Sequence, residues 1–473
     1  MKKAFNKQYA IISYFFVFIF VSLIGYLAYF SIFVSGTIID SPYNKRIDSL
    51  AETIVRGNIE SADGQVLAHT NTDESGTETR VYDYGDVFAH AVGYSTQGTT
   101  GLESLANYEL LHSSAFIGER IVNDLRDEKN TGDTVVTSLD TRLQQAAYQA
   151  LGDNRGAILV MNPSIGEILA MVSKPDFDPN SLDADWETLS TDEEQSSLLN
   201  RATQGLYPPG STFKIVTALT YLRTGHSVED FSYYCEGSIT KADSTVSCAG
   251  GSVHGQEDLA AAFANSCNCA FVEMGVSEGA TALRTVSEEL LFNSALDYEL
   301  PYSKSSVTVD ENSGVPLLMR TAIGQGETLA TPLQMALITS AIANDGLLMK
   351  PTLISEIKDH NGNSIEKTEA AAYTNLMTAQ EAQILTTLME GVVTNGTATD
   401  LSGRGYTSAG KTGTAEYGTD GQSHSWFVGF SNVEDPDIVV SIVVENGGDG
   451  NASAVPMAAE IFDTYYNSVK TAQ

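Results

Sequence analysis

The stretch YPPGSTFKIVTAL, residues 207–219, places a serine directly after two prolines and a glycine, at the head of an apolar run. Lys214 follows Ser211 by three positions, which on a helix puts both side chains on one face. A serine hydroxyl needs an adjacent base to act as a nucleophile, and a lysine serves as that base when burial lowers its pKa. Taken alone, the pattern favours a helix-capping serine beside a solvated lysine.

A second polar pair lies in FANSCNCAFVEMG, residues 263–275. Ser266 and Asn268 bracket Cys267, so at a helix start or a tight turn both polar side chains point one way and the thiol points into the core. Ser266 is then placed to pass a proton between a lysine and a leaving group, and Asn268 to bind a substrate amide. Taken alone, the stretch favours a polar turn ahead of a buried helix.

A third motif lies on a predicted strand, SAGKTGTAE, residues 408–416. Lys411 supplies positive charge, Gly413 lets a ligand backbone approach closely, and the hydroxyls of Thr412 and Thr414 suit a carboxylate. The backbone N–H groups of Thr414 and Ser211 would together form an oxyanion hole. Any exposed strand accommodates the same residues, so this motif alone is also weak.

The three motifs follow each other as S-x-x-K, S-x-N and K-T-G, a signature shared by penicillin-binding proteins and class A β-lactamases. The sequence resembles the penicillin-binding proteins, with Ser-Cys-Asn as its S-x-N motif. Further stretches carry the resemblance: RGNIESADGQVLA, GDTVVTSLDTRLQQAA, AILVMNPSIGEILAM, NRATQGLYPPGSTFK, GQGETLATPLQMA and HSWFVGF. It covers nearly all of residues 56–445 and is nearest the class B, monofunctional, penicillin-binding protein A-like group. About 100 residues ahead of the transpeptidase region are too few for the glycosyltransferase domain of the bifunctional enzymes.

The resemblance implies a peptidoglycan D,D-transpeptidase. Ser211 would attack the carbonyl of the penultimate D-alanine of a stem peptide, release the terminal D-alanine, and pass the acyl group to an amine on a neighbouring stem. Lys214 is implied as the acylation base, with Ser266 and Lys411 carrying the proton to the leaving amine. β-Lactams, as mimics of D-alanyl-D-alanine, would acylate Ser211.

The same resemblance implies the binding residues and partners. Asn268 would position the acyl chain, and Thr412, Gly413 and Thr414 the terminal carboxylate end of the substrate. No cofactor is expected. The implied membrane partner is a glycan polymerase of the SEDS (RodA/FtsW-like) type.

Three alternatives share the nucleophile or the fold. A D,D-carboxypeptidase transfers the same acyl group to water. A serine β-lactamase deacylates rapidly, but no glutamate of the class A type follows Asn268. A class D β-lactamase stays open as an alternative, although it would not need the membrane anchor and the pedestal. A β-lactam-binding sensor or an inactive scaffold is the non-enzyme alternative, which the intact set of motif residues argues against.

The N-terminus carries Lys2, Lys3 and Lys7 ahead of a stretch without charged residues that lasts until Asp40. This exceeds the about 20 apolar residues that span a membrane, and it is too long for the core of a cleaved signal peptide. The positive-inside rule keeps the lysines in the cytoplasm. We predict a cytoplasmic N-terminus (1–9), a transmembrane helix (10–35), an extracytoplasmic, dimerisation-like pedestal (36–140) and a transpeptidase domain (141–473).

The net charge of the chain excludes one class of function, and the order of its helix and strand patterns predicts its fold class. The net charge of −34 argues against binding nucleic acid through its phosphates. Strand patterns lie at both ends of the C-terminal region, with helices predicted near 211–222, 258–275 and 331–344 between them. We therefore predict an α/β (α+β) fold whose antiparallel sheet joins both ends of the domain around a helical insertion.

Four cysteines, Cys235, Cys248, Cys267 and Cys269, lie in the region predicted to face outside. Cys235 and Cys248 flank a polar loop, and we predict a disulfide between them, ahead of free buried thiols. Cys267 and Cys269 are two apart in a predicted helix, so they point to different faces. A zinc site from all four cysteines ranks third, because their spacing matches no zinc pattern, and we predict no metal site.

Overall fold

The structure, a computed structural model, describes residues 7–30, 50–126, 128–417 and 422–472. Helix α1 (Lys7–Tyr29) opens the chain. Within it, Tyr9–Tyr29 form a 21-residue stretch of mean hydropathy 2.4, long and apolar enough to cross a membrane. Residues 1–6 of the predicted cytoplasmic segment and residues 31–35 of the predicted span lie outside the described residues.

Residues 50–137 carry strands of a second sheet. The elements of this region are β1 (Ile54–Val55), β2 (Ile59–Glu60), β3 (Val66–Thr72), β4 (Glu78–Tyr82), α2 (Ala89–Val92), α3 (Gly101–Leu105), α4 (Asn107–Leu110), α5 (Ile117–Arg126), β5 (Asn130–Thr131) and β6 (Thr134–Thr137). A turn at Asp63-Gly64 joins β2 to β3, and Gly64 has the positive φ of 79° that such a turn requires.

A central antiparallel sheet lies at the core of the larger, C-terminal region of the molecule. Its strands are β7 (Gly156–Met161), β8 (Ile168–Lys174), β17 (Ser408–Tyr417), β18 (Gln422–Ser431) and β19 (Ile438–Val444), in the order β17-β18-β19-β7-β8. Strands β7 and β19 are almost entirely apolar because they are buried on both faces, and Ser441 is the one polar residue of β19. The sheet joins the two ends of the domain, as the sequence predicted.

Helices cover this sheet. Helix α6 (Thr141–Leu151) is capped by Asp140, whose side chain accepts from the N–H groups of Arg142 and Leu143. Helix α6 packs with α15 (Ala454–Thr464) against the sheet. Helix α13 (Pro332–Ala343) contacts β7, β18 and β19 and is buried along its whole length, so its composition is apolar all round.

The insertion between β8 and β17 holds the remaining elements. They are α7 (Leu182–Thr191), a 3₁₀ helix (Gly210–Phe213), α8 (Lys214–Arg223), β9 (Ser232–Cys235), β10 (Ser238–Lys241), β11 (Ser244–Ser247), β12 (Gly255–Asp258), α9 (Leu259–Ala264), α10 (Asn268–Glu278), α11 (Ala280–Glu289), α12 (Val315–Thr321), α13, β13 (Leu347–Met349), β14 (Ile354–Lys358), β15 (Ser364–Lys367), β16 (Ala372–Asn375) and α14 (Ala379–Asn395).

The single helix predicted over 258–275 is wrong in one respect. The chain forms two helices there, α9 and α10, separated by residues 265–267. Ser266 adopts a left-handed backbone conformation with φ 55°, which a continuous right-handed helix excludes. The break falls on the S-x-N motif.

The predicted boundary at 140/141 crosses a shared sheet. Strands β14 and β15, from the later part of the chain, join the sheet of the N-terminal region in the order β15-β14-β6-β2-β3-β4. Strand β14 pairs antiparallel with β6, matching Ile354 with Thr137 and Lys358 with Thr134. Hydrogen bonds across this pair tie the two regions together.

Candidate active site

Ser211 lies on a tight turn rather than at the cap of a long helix. It is the second residue of the 3₁₀ helix Gly210–Phe213, and α8 starts only at Lys214. Gly210 has a φ of 53°, and a Cβ there would lie 2.6 Å from the carbonyl oxygen of Thr414. The turn that carries Ser211 therefore packs its backbone directly against the K-T-G strand, at a position that only glycine fits.

Lys214 is fully buried, with 0% of its surface exposed. Its Nζ donates to the carbonyl oxygen of Ser266 at 2.6 Å, to Ser266 Oγ at 3.1 Å and to Asn268 Oδ1 at 2.7 Å. Among the hydrogen bonds of the described residues, none joins this ammonium to Ser211. Catalytic contacts often tighten only when substrate binds.

The buried position of Lys214 changes its acidity. Burial disfavours the charged ammonium and lowers the pKa of Lys214 to about 7, although nearby groups, led by Cys267, oppose the shift. A substantial fraction of the amine is therefore neutral near pH 7. Only the neutral form accepts a proton from a serine hydroxyl.

The S-x-N motif occupies the break between α9 and α10. Cys267 caps α10, where its Sγ accepts from the N–H of Ala270, and it is buried. Ser266 and Asn268 are half-buried on the side that faces Lys214. The structure thus separates the buried thiol from the two polar side chains, the arrangement that the sequence predicted.

Lys411 approaches the same serine from strand β17. Its Nζ donates to Ser266 Oγ at 2.9 Å and to the carbonyl oxygen of Thr412 at 3.2 Å, and its side chain is fully buried. Burial, followed by the charge of Lys214, lowers the pKa of Lys411 well below its usual value. Two lysines therefore converge on one hydroxyl in a site that resists holding two positive charges.

The rest of the K-T-G motif lies on an edge strand, β17, beside the nucleophile turn. A Cβ at Gly413 would lie 2.9 Å from Trp426 Cβ and 3.0 Å from the carbonyl oxygen of Pro209, so no side chain fits there. Thr412 and Thr414 share the opposite face of the strand. The hydroxyl of Thr412 bonds that of Thr397 at 2.6 Å, and Thr414 Oγ1 accepts from the N–H of Gly450 at 3.3 Å.

Asn268 makes contacts that its sequence position did not reveal. Besides accepting from Lys214, its Nδ2 donates to the carbonyl oxygen of Ser247 at 2.9 Å. The amide thus connects the catalytic lysine candidate to the segment that carries strands β10 and β11. The local sequence around Asn268 gives no signal for this contact, because the contact joins residues that are 21 positions apart in the chain.

Other side chains that hold the site escaped sequence reasoning. Trp426 Nε1 donates to the carbonyl oxygen of Pro208 at 3.0 Å, which fixes the turn ahead of Ser211. Glu445 accepts from Arg201 Nε and from the hydroxyl of Tyr207, each at 2.8 Å. The sequence signals this buried ion pair only through Glu445, an acidic residue that directly follows the apolar strand β19.

Gln325 and His424 have structural positions at the edge of the site. With its amide oriented to satisfy both groups, Gln325 pairs with the N–H and C=O of Glu416, each at 3.0 Å, at the edge of β17. His424 stacks on Tyr417 with 4.1 Å between ring centroids. Burial lowers the pKa of His424, so it is a neutral ring within an aromatic cluster.

The predicted disulfide between Cys235 and Cys248 is not formed in the structure. The two Sγ atoms lie 3.7 Å apart, whereas a bond requires about 2.05 Å, and all four cysteines are free and buried. The physical reason lies in the surroundings of Cys248. Its sulfur also contacts Cys267 at 3.7 Å and Cys269 at 3.5 Å, so the thiols form one cluster rather than a pair.

Comparisons with known proteins match most of the chain. The family described as penicillin binding protein transpeptidase domain matches residues 156–463, and that described as penicillin binding protein A dimerisation domain matches residues 56–135. The chain is 34% identical over 462 residues to peptidoglycan D,D-transpeptidase PbpA of Mycolicibacterium smegmatis, covering 90% of this chain and 92% of that protein. It is 32% identical over 470 residues to the Mycobacterium tuberculosis protein of the same name, covering 91% and 93%.

Solved structures show the same likeness. A crystal structure of the D,D-transpeptidase domain of a peptidoglycan glycosyltransferase from Eggerthella lenta has a TM-score of 0.78 at 34% identity, covering 86% of this chain and 97% of that one. Penicillin-binding protein A from M. tuberculosis, as an imipenem acyl-enzyme complex, has a TM-score of 0.81 at 30% identity. That match covers 89% of this chain and 100% of the other.

Proposed function

The chain belongs to the penicillin-binding protein transpeptidase family, and on this premise we propose that it is a peptidoglycan D,D-transpeptidase with Ser211 as its nucleophile. The observation that carries the assignment of roles is the convergence of Lys214 and Lys411 on Ser266 Oγ, at 3.1 and 2.9 Å, behind the turn that holds Ser211. The relatives that act on peptidoglycan and the imipenem acyl-enzyme support the same reaction class.

Acylation would begin at Lys214. Its neutral amine takes the proton of Ser211, whose Oγ attacks the carbonyl carbon of the penultimate D-alanine. The backbone N–H groups of Ser211 and Thr414 stabilise the oxyanion, a proposal supported by the close packing of the Ser211 turn against Thr414. The tetrahedral intermediate then collapses as the C–N bond to the terminal D-alanine breaks.

The departing amine needs the proton that the serine lost. Lys214 passes it through the hydroxyl of Ser266, which lies within hydrogen-bonding distance of both lysines. D-Alanine leaves, and the acyl group remains as an ester on Ser211. An amine from a neighbouring stem attacks that ester, gives up its proton along the reverse path, and forms the new peptide bond.

Substrate binding would use strand β17 and the S-x-N motif. Lys411 supplies positive charge near the terminal carboxylate, and the hydroxyls of Thr412 and Thr414 donate to it after exchanging their present partners. Gly413 leaves room for the ligand backbone. Asn268 holds the acyl chain while it keeps Lys214 in place.

Helix α1 supports a location in the membrane, and the family resemblance implies the partner. Its side chains are exposed along the helix, which suits a lipid environment. We propose a single-pass anchor in the cell membrane with the catalytic domain outside, and a SEDS (RodA/FtsW-like) polymerase as the membrane partner. A membrane-impermeant penicillin probe should label the protein in intact cells, and a photo-crosslinker at Phe18 should capture the polymerase.

Product analysis tests the reaction. The full-length protein is incubated with a stem peptide that ends in D-alanyl-D-alanine, with and without an acceptor amine. A transpeptidase releases D-alanine and forms the crosslinked peptide, and the Ser211→Ala variant does neither. Release of D-alanine with only the shortened stem as product, even in excess acceptor, would instead identify a carboxypeptidase.

A further inference from the structure

Four metal-binding side chains meet beside the active site without any role in the proposed reaction. They are Cys235, Cys248, His254 and Cys267, and we call them the thiol-imidazole cluster. One ligand atom from each lies within 4.8 Å of every other. The three cysteines are buried and the histidine is half-buried.

Each member comes from a different place in the local fold. Cys235 ends strand β9, Cys248 directly follows β11, His254 directly precedes β12, and Cys267 caps helix α10. Short elements whose ends converge in this way bring the four ligand atoms to one point. Because the ligands are separated by long intervals in the sequence, the spacing resembles no common zinc motif.

Three of the six ligand-to-ligand distances within the cluster fit a tetrahedral zinc ion, and all six lie within 4.8 Å. Zinc–sulfur bonds of about 2.3 Å place two thiolates about 3.8 Å apart at tetrahedral angles. Cys235 and Cys248 lie 3.7 Å apart, and Cys248 and Cys267 also lie 3.7 Å apart. Cys235 Sγ lies 3.4 Å from His254 Nδ1, close to the about 3.5 Å of a sulfur–nitrogen edge.

We propose that Cys235, Cys248, His254 and Cys267 bind one Zn²⁺ ion in a structural site. Three thiolates and one imidazole form a closed, four-coordinate set of the kind that holds structural zinc, and soft sulfur ligands select zinc over magnesium or calcium. On binding, the three thiols release their protons to solvent, and the ion completes its shell with neutral His254. This proposal does not depend on the reaction assigned to Ser211.

The surroundings of the sulfurs support thiolates. The backbone N–H of Gly237 points to Cys235 Sγ and that of Ala270 to Cys267 Sγ, each at 3.4 Å. Such N–H···S contacts orient and stabilise zinc-bound cysteines. Cys267 also lies at the N-terminus of the 11-residue helix α10, where the helix dipole favours negative charge.

An ion here would connect a thinly packed segment to the catalytic turn. Strands β10 and β11 are only part-buried or exposed, so residues 232–258 have little apolar core of their own. The segment meets the site where Asn268 donates to Ser247, the residue before Cys248. Zinc would fix the position of Cys248 relative to Cys267. Because Ser266 and Asn268 lie on either side of Cys267, the ion would also hold them in position beside the two lysines.

Metal content tests the proposal directly. The full-length protein is purified in detergent with zinc present and without chelator, and bound zinc is measured by mass spectrometry after gel filtration. We expect one zinc per chain. Cys235→Ser and His254→Gln should each lower the zinc content to background, while Cys269→Ser should leave it at one. Cys269 is the matched control, since it contacts Cys248 at 3.5 Å but lies outside the four-ligand set.

Cobalt substitution and intact mass complete the test. With Co²⁺ in place of zinc, we expect the sulfur-to-metal charge-transfer absorption of a tetrahedral thiolate site, lost in His254→Gln. A metal-free protein that carries a disulfide, seen as a mass lower by two hydrogens and restored by reductant, would overturn the proposal. So would metal-free protein with four alkylatable thiols, or loss of zinc in Cys269→Ser. Labelling of the same samples with fluorescent penicillin reports on Ser211 separately, so either proposal fails without the other.

Discussion

Lys214 and Lys411 donate hydrogen bonds to the same oxygen, Oγ of Ser266, from a helix on one side and a strand on the other. Because both lysines donate to this oxygen, we propose that the hydroxyl proton of Ser266 is directed away from them. A substrate in the cleft is then its natural acceptor. For this reason we assign proton delivery to Ser266 and proton removal to Lys214.

Substitutions at Lys214 test whether this residue acts as a base or only supplies positive charge. Lys214→Arg keeps the charge but cannot lose its proton near pH 7, because a guanidinium stays protonated at every accessible pH. We expect both Lys214→Arg and Lys214→Met to slow acylation by penicillin about 10²–10⁴-fold, the range for a lost general base. The second-order acylation rate measures this. Near-normal acylation by the arginine variant would show that charge alone suffices.

The acylation rate should depend on pH through Lys214. Because burial lowers the pKa of Lys214 to about 7, the neutral base forms as the pH rises through that value. We expect the rate to rise from pH 6 to pH 8 and then level off. The inflection should be absent from the slow residual rate of Lys214→Met. A rate that falls over this interval would contradict the assignment of Lys214 as the base.

Two substitutions at Ser266 separate the contribution of its hydroxyl to catalysis from the effect of its backbone conformation on stability. Ser266→Ala and Ser266→Gly both remove the proton carrier, so both should acylate about 10²–10⁴-fold more slowly. They should differ in stability, since φ is 55° at this position and glycine adopts that conformation without strain. We expect the glycine variant to be more stable than the alanine variant by about 1 kcal/mol in denaturant unfolding. Equal stabilities, or normal acylation in either variant, would contradict this view.

The contact between the Ser211 turn and strand β17 has its own test. In Gly413→Ala the new methyl group would lie 2.9 Å from Trp426 Cβ, so we expect a loss of about 1–3 kcal/mol and slower acylation. Gly391 is the matched control, because it lies within helix α14 and a methyl group added there would meet nothing within 4 Å. Gly391→Ala should be neutral or stabilising by up to about 1 kcal/mol and acylate normally. Similar behaviour of the two variants would show that close packing at Gly413 does not matter.

Local chemistry predicted much of this molecule. The hairpin of β7 and β8 and the cap at Asp140 follow from apolar runs and turn residues that act over a few positions. The three motifs were also readable in order, because each is carried by adjacent residues. Their meeting in space was an inference from family resemblance until the contacts of Lys214 and Lys411 placed them together.

The remaining features depend on contacts between distant residues. The helix break at Ser266 was missed because a left-handed serine has no sequence signal, unlike a glycine. The partners of Lys214 proved to be Ser266 and Asn268, 52 and 54 residues away, rather than Ser211. The convergence of three cysteines with His254 likewise depends on how four short strands fold back.

The most direct test of Ser211 as the nucleophile is to locate the acyl group. The full-length protein is treated with penicillin, digested, and mapped by mass spectrometry, beside Ser211→Ala protein that unfolds at the wild-type temperature. We predict one penicilloyl group per chain, on the peptide that contains Ser211, and none on the alanine variant. An acyl group on another residue, or one that persists in Ser211→Ala, would contradict the assignment.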